Sequence, residues 1–198
     1  MKIGFLMFDD LEELDMVGPW EVFTMAGKLR PELGIRCLTI APDGGTVRCA
    51  KGMRIVADHG FADAPALDVL VVPGGQGTRR EVDNPRLLDW IASVAPACTW
   101  VTSVCTGSML LAAAGPARGR RITTHWGAVD LVRRRGEAAE VLDDVRYVRD
   151  GNLVTSAGVS AGIDMALWLV GEIWEPAFAR KVQRQMQYDP APPYAAAV

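Results

Sequence analysis

Only two histidines, His59 and His125, occur in the 198 residues, and neither stands beside a cysteine. No adjacent Cys-His dyad is therefore written into the chain. The four cysteines, Cys37, Cys49, Cys98 and Cys105, are scattered without paired CxxC spacing, so neither a zinc site nor a disulfide scaffold is suggested. No apolar run reaches the ~20 residues of a membrane span. The opening apolar run, closed by Asp9 and Asp10, is too short for a signal peptide. Charge of one sign is also missing: the net charge is −3 and the pI about 5.4, which leaves no basic footprint for nucleic acid. The local clusters Arg118-Gly119-Arg120-Arg121 and Arg133-Arg134-Arg135 read as solvated helix ends and loops. These absences lead us to expect a soluble cytoplasmic protein with no metal, membrane or nucleic-acid partner.

The residues that are present alternate between strand and helix signals. With 49% hydrophobic content the chain is long enough for one substantial core, and residues 1–198 are read as one domain. Lys2 to Phe8 reads as a strand, Leu14 to Lys28 as a helix and Ile35 to Ile40 as the next strand, the opening of a βαβ unit. A hairpin-like excursion runs from Gly44-Gly45 through Val47 to Val56. Leu67 to Val72 is a dense β-branched run of the kind buried on both faces of a parallel sheet. Asn84-Pro85 starts a helix through Ala95, Thr99 to Val104 is a strand, Ile122 to Thr124 another, and Gly127 to Arg135 a helix. Val145 to Val148 and Leu153 to Ser156 pair around Asp150-Gly151-Asn152. Helices follow over Val159 to Ile173 and Glu175 to Tyr188, and Pro190-Ala191-Pro192-Pro193 stops the structure. The expected fold is α/β, a doubly wound, mostly parallel, flavodoxin-like sheet sandwiched by helices.

The most informative segment is Trp100-Val101-Thr102-Ser103-Val104-Cys105-Thr106-Gly107-Ser108, where a β-favouring run breaks at a cysteine and passes into Met109-Leu110-Leu111-Ala112-Ala113-Ala114. A nucleophile-elbow cysteine at that corner faces the unpaired N–H groups of the helix start, and is expected to be partly thiolate near neutral pH. The alternative is a buried structural cysteine. Catalytic groups of such sheets gather at the carboxyl ends of strands. Two further features map there: Pro73-Gly74-Gly75-Gln76-Gly77, whose N–H groups form a candidate oxyanion nest, and Asp15 at the start of the first helix. Each has a plainer reading, a strand-end turn and a helix-start charge. His59, beside Asp58 and Gly60, reads as a silent loop residue. His125 follows a strand and is read either as lining the pocket or as structural.

These motifs, with Leu14-Asp15-Met16-Val17-Gly18-Pro19, Thr123-Thr124-His125-Trp126 and Ala157-Gly158-Val159-Ser160-Ala161-Gly162-Ile163-Asp164, resemble the ThiJ/PfpI superfamily, with its class I glutamine-amidotransferase-like fold, over essentially the whole chain. Within it, Ser103 to Ser108, Thr123 to Trp126 and the tail Tyr188 to Tyr194 are most similar to the isocyanide hydratases. The resemblance implies a homodimer without metal or organic cofactor that hydrates a small-molecule isocyanide to an N-substituted formamide. It also implies Cys105 as nucleophile, Asp15 as its acidic partner, Thr106 as a hydrogen-bonding neighbour of the reacting group, and Gly74, Gly75 and His125 as substrate-binding residues. Thr106 stands where proteases and deglycase-like members commonly carry histidine, which disfavours peptidase chemistry. The same Cys-Thr-Gly and Thr-His-Trp patterns also resemble the amidase-like sensor domain of AraC-type regulators. A chain ending at Val198 leaves no ~100 residues for paired helix-turn-helix units, so direct DNA binding is not expected. A redox or ligand sensor and a glutathione-independent glyoxalase are the remaining alternatives.

Overall fold

The computed structural model describes residues 1–190. Short apolar runs form strands and the longer amphipathic ones helices. The chain runs β1 (Lys2–Leu6), α1 (Glu13–Leu29), β2 (Arg36–Ile40), a hairpin of β3 (Gly45–Arg48) and β4 (Arg54–Ala57), then β5 (Val69–Val72), α2 (Thr78–Glu81) and α3 (Pro85–Val94). After these come β6 (Trp100–Val104), α4 (Gly107–Ala114), β7 (Arg121–Thr123), α5 (Val129–Arg135) and β8 (Glu140–Leu142). The last described elements are β9 (Tyr147–Asp150), β10 (Leu153–Ser156), α6 (Ala161–Ile173) and α7 (Pro176–Gln185).

Six strands form the central sheet in the order β2-β1-β5-β6-β10-β9. All neighbours are parallel except the β9–β10 pair, as expected of a flavodoxin-like sheet with an antiparallel edge. Every residue of β5 and β10 is buried, because helices cover both faces. Helices α1, α6 and α7 pack together on one side, and α2, α3 and α4 on the other. Phe5 joins sheet to helix, its ring 5.2 Å from Trp20 and 6.5 Å from Phe23. No helix among the described residues is long and apolar enough to cross a membrane.

Close approach of α1 to α6 brings the carboxyl-end loops together. A Cβ on Gly18 would lie 2.9 Å from Ile163, and one on Gly162 would lie 2.9 Å from Val104 and 3.2 Å from Pro19. Hydrogen at both positions lets α6 start directly against the end of β6.

Three details differ from the reading of the sequence. Helix α2 was not expected, since its four residues TRRE hold no apolar periodicity. The strand β7 stays out of the central sheet and pairs in parallel with the three-residue β8, which was also not expected. The helix expected from Gly127 begins instead with a 3-10 turn over Trp126–Ala128 before α5. Of the proline-rich stop and the tail, residues 191–194 lie outside the described residues.

The small sheet is tied to the central one by a buried bond, the Thr123 N–H donating to Thr155 Oγ1 at 2.8 Å, and at the exposed edge by the Arg121 N–H donating to Asp150 Oδ2 at 2.9 Å. Thr155→Val leaves the Thr123 N–H unsatisfied and is expected to lower stability by about 1–3 kcal/mol. Urea unfolding, read beside the fluorescence of neighbouring Trp126, checks both the loss and its local origin.

Candidate active site

The end of β6 is a strained corner. Cys105 has φ +56, a left-handed conformation that costs a non-glycine residue about 1–2 kcal/mol. Its surroundings hold it there: the N–H donates to Ser156 O and Ala157 O, each at 3.1 Å, and the carbonyl accepts from Thr124 Oγ1 at 3.0 Å and Ser108 Oγ at 3.2 Å. The helix beyond is drawn close to the end of β5, where a Cβ on Gly107 would meet Val72 O at 2.1 Å. Cys105 is 6% exposed, at a cavity of about 310 Å³ that also receives Glu12, Arg79, Thr106, His125, Trp126 and Val159.

Against the thiol lies Asp15, which is fully buried. Its Oδ2 accepts from the Gly74 N–H at 2.9 Å. Oδ1 has no partner in full hydrogen-bond geometry among the described residues, although the Cys105 thiol and the Val159 N–H are near enough to favour its charged form. Burial dominates and lifts the carboxyl to about 7; the Gly74 N–H works against this, and the charge of Glu12 adds to it.

Burial also pushes the thiol up, to about 12, with the Asp15 carboxylate adding to the rise and the N–H and hydroxyl of Thr106 opposing it. The expectation of a partly ionised thiol is therefore corrected. The start of an eight-residue helix does not outweigh desolvation plus an acid at contact distance. Two acids in one dry site ionise one at a time, so the pair rather than either residue takes the first step near pH 7. The proton-bearing sulfur then lies beside a charged carboxylate, an arrangement suited to proton removal at the moment of attack.

Gly74 and Gly75 do not offer a free anion nest. The Gly74 N–H is spent on Asp15 and the Gly75 N–H donates to Thr106 Oγ1 at 3.1 Å. The turn's role is to hold both partners of the cysteine, and it must be glycine. A Cβ at Gly74 would stand 2.4 Å from the Thr106 nitrogen, and one at Gly75, where φ is +120, 2.3 Å from that of Glu12. Thr106 Oγ1 further accepts from Thr78 Oγ1 at 2.9 Å and from Arg79 Nη1 at 3.4 Å.

His125 lies at the cavity wall, as one of its two readings held. Its Nδ1 accepts from the Gly127 N–H at 3.1 Å, leaving the ring proton on Nε2, and its ring occupies the space over Gly158, where a Cβ would come within 2.1 Å of Cδ2. Trp126 is 80% exposed beside it. His59 pairs with Asp63 at 3.1 Å, outside the cavity. A larger surface cavity of about 710 Å³ between the end of α1 and α7 holds no cysteine or histidine.

Sequence reasoning missed Thr78, Arg79, Glu12 and Val159. The first two sit on the unexpected α2. Val159 has φ +53, an outlier for a β-branched side chain, and nothing in the letters Gly158-Val159-Ser160 signals it. Among the described residues no group of three or more His, Cys, Asp or Glu is placed to hold a metal ion.

Residues 1–172 match the DJ-1/PfpI family. The chain belongs to that family. A DJ-1/PfpI relative from Pseudomonas putida, named isonitrile hydratase, is 41% identical over 98% of this chain and 81% of its own length. The HTH-type transcriptional regulator CdhR of Pseudomonas aeruginosa is 30% identical over 91% of this chain, which spans 53% of that regulator. Among solved structures, a ThiJ/PfpI family protein from Pseudomonas syringae superposes with a TM-score of 0.88 at 32% identity, covering 100% of this chain and 78% of that one.

The raised Asp15 carboxyl has a thermodynamic consequence. Its folded-state value near 7 lies above the ordinary 3.8, so the native protein binds the extra proton between those limits and loses stability as pH rises through them. Asp15→Asn is expected to melt higher than wild type at pH 8, with the gap closing toward pH 4, as differential scanning calorimetry at the two pH values will show.

Proposed function

We propose that this chain hydrates isocyanides (isonitriles) to N-substituted formamides, with Cys105 as nucleophile and Asp15 as proton carrier. The observation that carries the reading is the buried thiol–carboxylate pair opening on a small cavity, in a chain 41% identical to an isonitrile hydratase. The homodimer implied by the family resemblance, and a cytoplasmic location, belong to the same proposal.

The chemistry needs no group beyond water. Asp15 takes the thiol proton as Sγ attacks the terminal carbon of R–N≡C; the Sγ–C bond forms, and the proton passes to that carbon to give the thioimidate R–N=CH–S–Cys. Asp15, again a carboxylate, removes a proton from water as its oxygen adds to the same carbon. Collapse breaks the C–S bond, with one proton delivered to nitrogen and one to sulfur, and releases R–NH–CHO with the thiol restored. A carboxyl near 7 suits both halves, since at neutral pH it is found both with and without its proton. The Thr106 N–H, which favours the ionised sulfur, stabilises the charge that develops there. The Thr106 hydroxyl is held in place by the Gly75 N–H and Thr78.

A second reading, ligand sensing, is favoured by the 30% identity to CdhR over most of this chain. Turnover separates the two. Assayed with a simple alkyl isocyanide, the wild type is expected to release formamide, Cys105→Ala none, and Asp15→Asn about 10²- to 10⁴-fold less. Mass spectrometry during turnover is expected to find the adduct on Cys105 and not on Cys37, Cys49 or Cys98. Inert wild-type protein that binds an isocyanide without converting it would support the sensor instead.

A further inference from the structure

The cavity above Cys105 carries a guanidinium with no ion-pair partner among the described residues. Arg79 lines that cavity and is its only lysine or arginine among the described residues. Its Nη1 donates to Gly75 O and Thr78 Oγ1, each at 3.1 Å, and to Thr106 Oγ1 at 3.4 Å, all uncharged acceptors. Among the described residues no carboxylate lies within ion-pair distance of Arg79. Its neighbour Arg80, by contrast, pairs with both Asp10 and Glu81, and Arg86 pairs with Asp43. Nε and Nη2 of Arg79 have no hydrogen-bond partner among the described residues, which leaves one edge of the planar fork open. Glu12 also borders the cavity, but its carboxylate is engaged by Lys51.

From this arrangement we infer that the preferred substrate is an isocyanide bearing a carboxylate, a short isocyano acid, whose carboxylate is held by the open edge of Arg79 while its terminal carbon faces Cys105. The inference rests on the hydratase reading. The guanidinium and the sulfur stand on two sides of one residue, Thr106, which bonds the first through Oγ1 and acts on the second through its N–H and hydroxyl. A tied Nη1 fixes the fork in advance, so little freedom is lost when a carboxylate docks. Arg79 is exposed, so beside an uncharged alkyl group its open edge stays in water and gains no partner.

Kinetics with isocyanoacetate and its methyl ester test this, since the reacting group is the same in both. Wild type is expected to favour the acid by about ten- to hundredfold in kcat/KM, chiefly through KM. Arg79→Gln should erase the preference, and Arg79→Lys, which keeps the charge but not the fork, should retain part of it. Turnover of the ester without preference for the acid, or a preference that survives Arg79→Gln, overturns the inference and leaves the hydratase reading standing. If neither compound is turned over, the hydratase reading falls, and alkylation of Cys105 by iodoacetamide still tests the carboxylate site. N-formylglycine should slow it in wild type and not in Arg79→Gln, and absence of protection in wild type overturns the site as well.

Discussion

The site depends on two acids, Cys105 and Asp15, buried against each other where only one negative charge is tolerated. Desolvation raises both, and the Asp15 charge raises the thiol further, so at neutral pH the sulfur keeps its proton and the carboxyl holds one well above the ordinary carboxylate range. Oriented N–H groups, with the Thr106 hydroxyl and the Cys105 thiol, work against burial. Gly74 and Val159 supply them to the carboxylate, Thr106 to the sulfur, and each comes from a different carboxyl-end loop.

The sheet order makes this meeting possible. Strands β1, β5 and β6 are neighbours, so the segments after them, carrying Asp15, Gly74-Gly75 and Cys105, converge at one end. The α6 start joins them because glycines at 18 and 162 let α1, α6 and β6 approach closely. Strain is concentrated in the same place: Cys105 and Val159, two of the five non-glycine residues with positive φ among the described residues, are both at the cavity. Backbone held off its preferred conformation at a site is sustained by the hydrogen bonds around it, here four at Cys105 alone.

Much of the fold was legible in the sequence because it is written in local pattern. The all-apolar β5 and the abrupt passage from strand to helix at Cys105 are readable without tertiary information. Asp15 was legible as a candidate, but its ionisation was not, since full burial is a property of the packed molecule. The same holds for the sulfur: helix-start geometry argued for a lowered thiol, and burial, with the three-dimensional neighbour Asp15 adding to it, reversed the sign. Gly74 and Gly75 were rightly singled out for the turn and wrongly given free N–H groups, because their acceptors are 59 and 31 residues away in sequence. Arg79 and Val159 were invisible, one on a four-residue helix without periodicity and the other in a conformation that its residue type opposes.

Relatives named for catalysis and for transcriptional regulation both resemble this chain, so the fold alone does not choose between them. The choice lies in what the buried pair does with its proton, and the Asp15 carboxyl band in isotope-edited infrared spectra, followed through a pH titration of the native protein, reports that directly. The band of the protonated acid is expected to persist well beyond the ordinary carboxylate range and to vanish around pH 7, where the carboxylate takes up the charge. Loss of the band near pH 4, as for a solvated carboxyl, would contradict the account, as would its persistence above about pH 9 over an ionised sulfur.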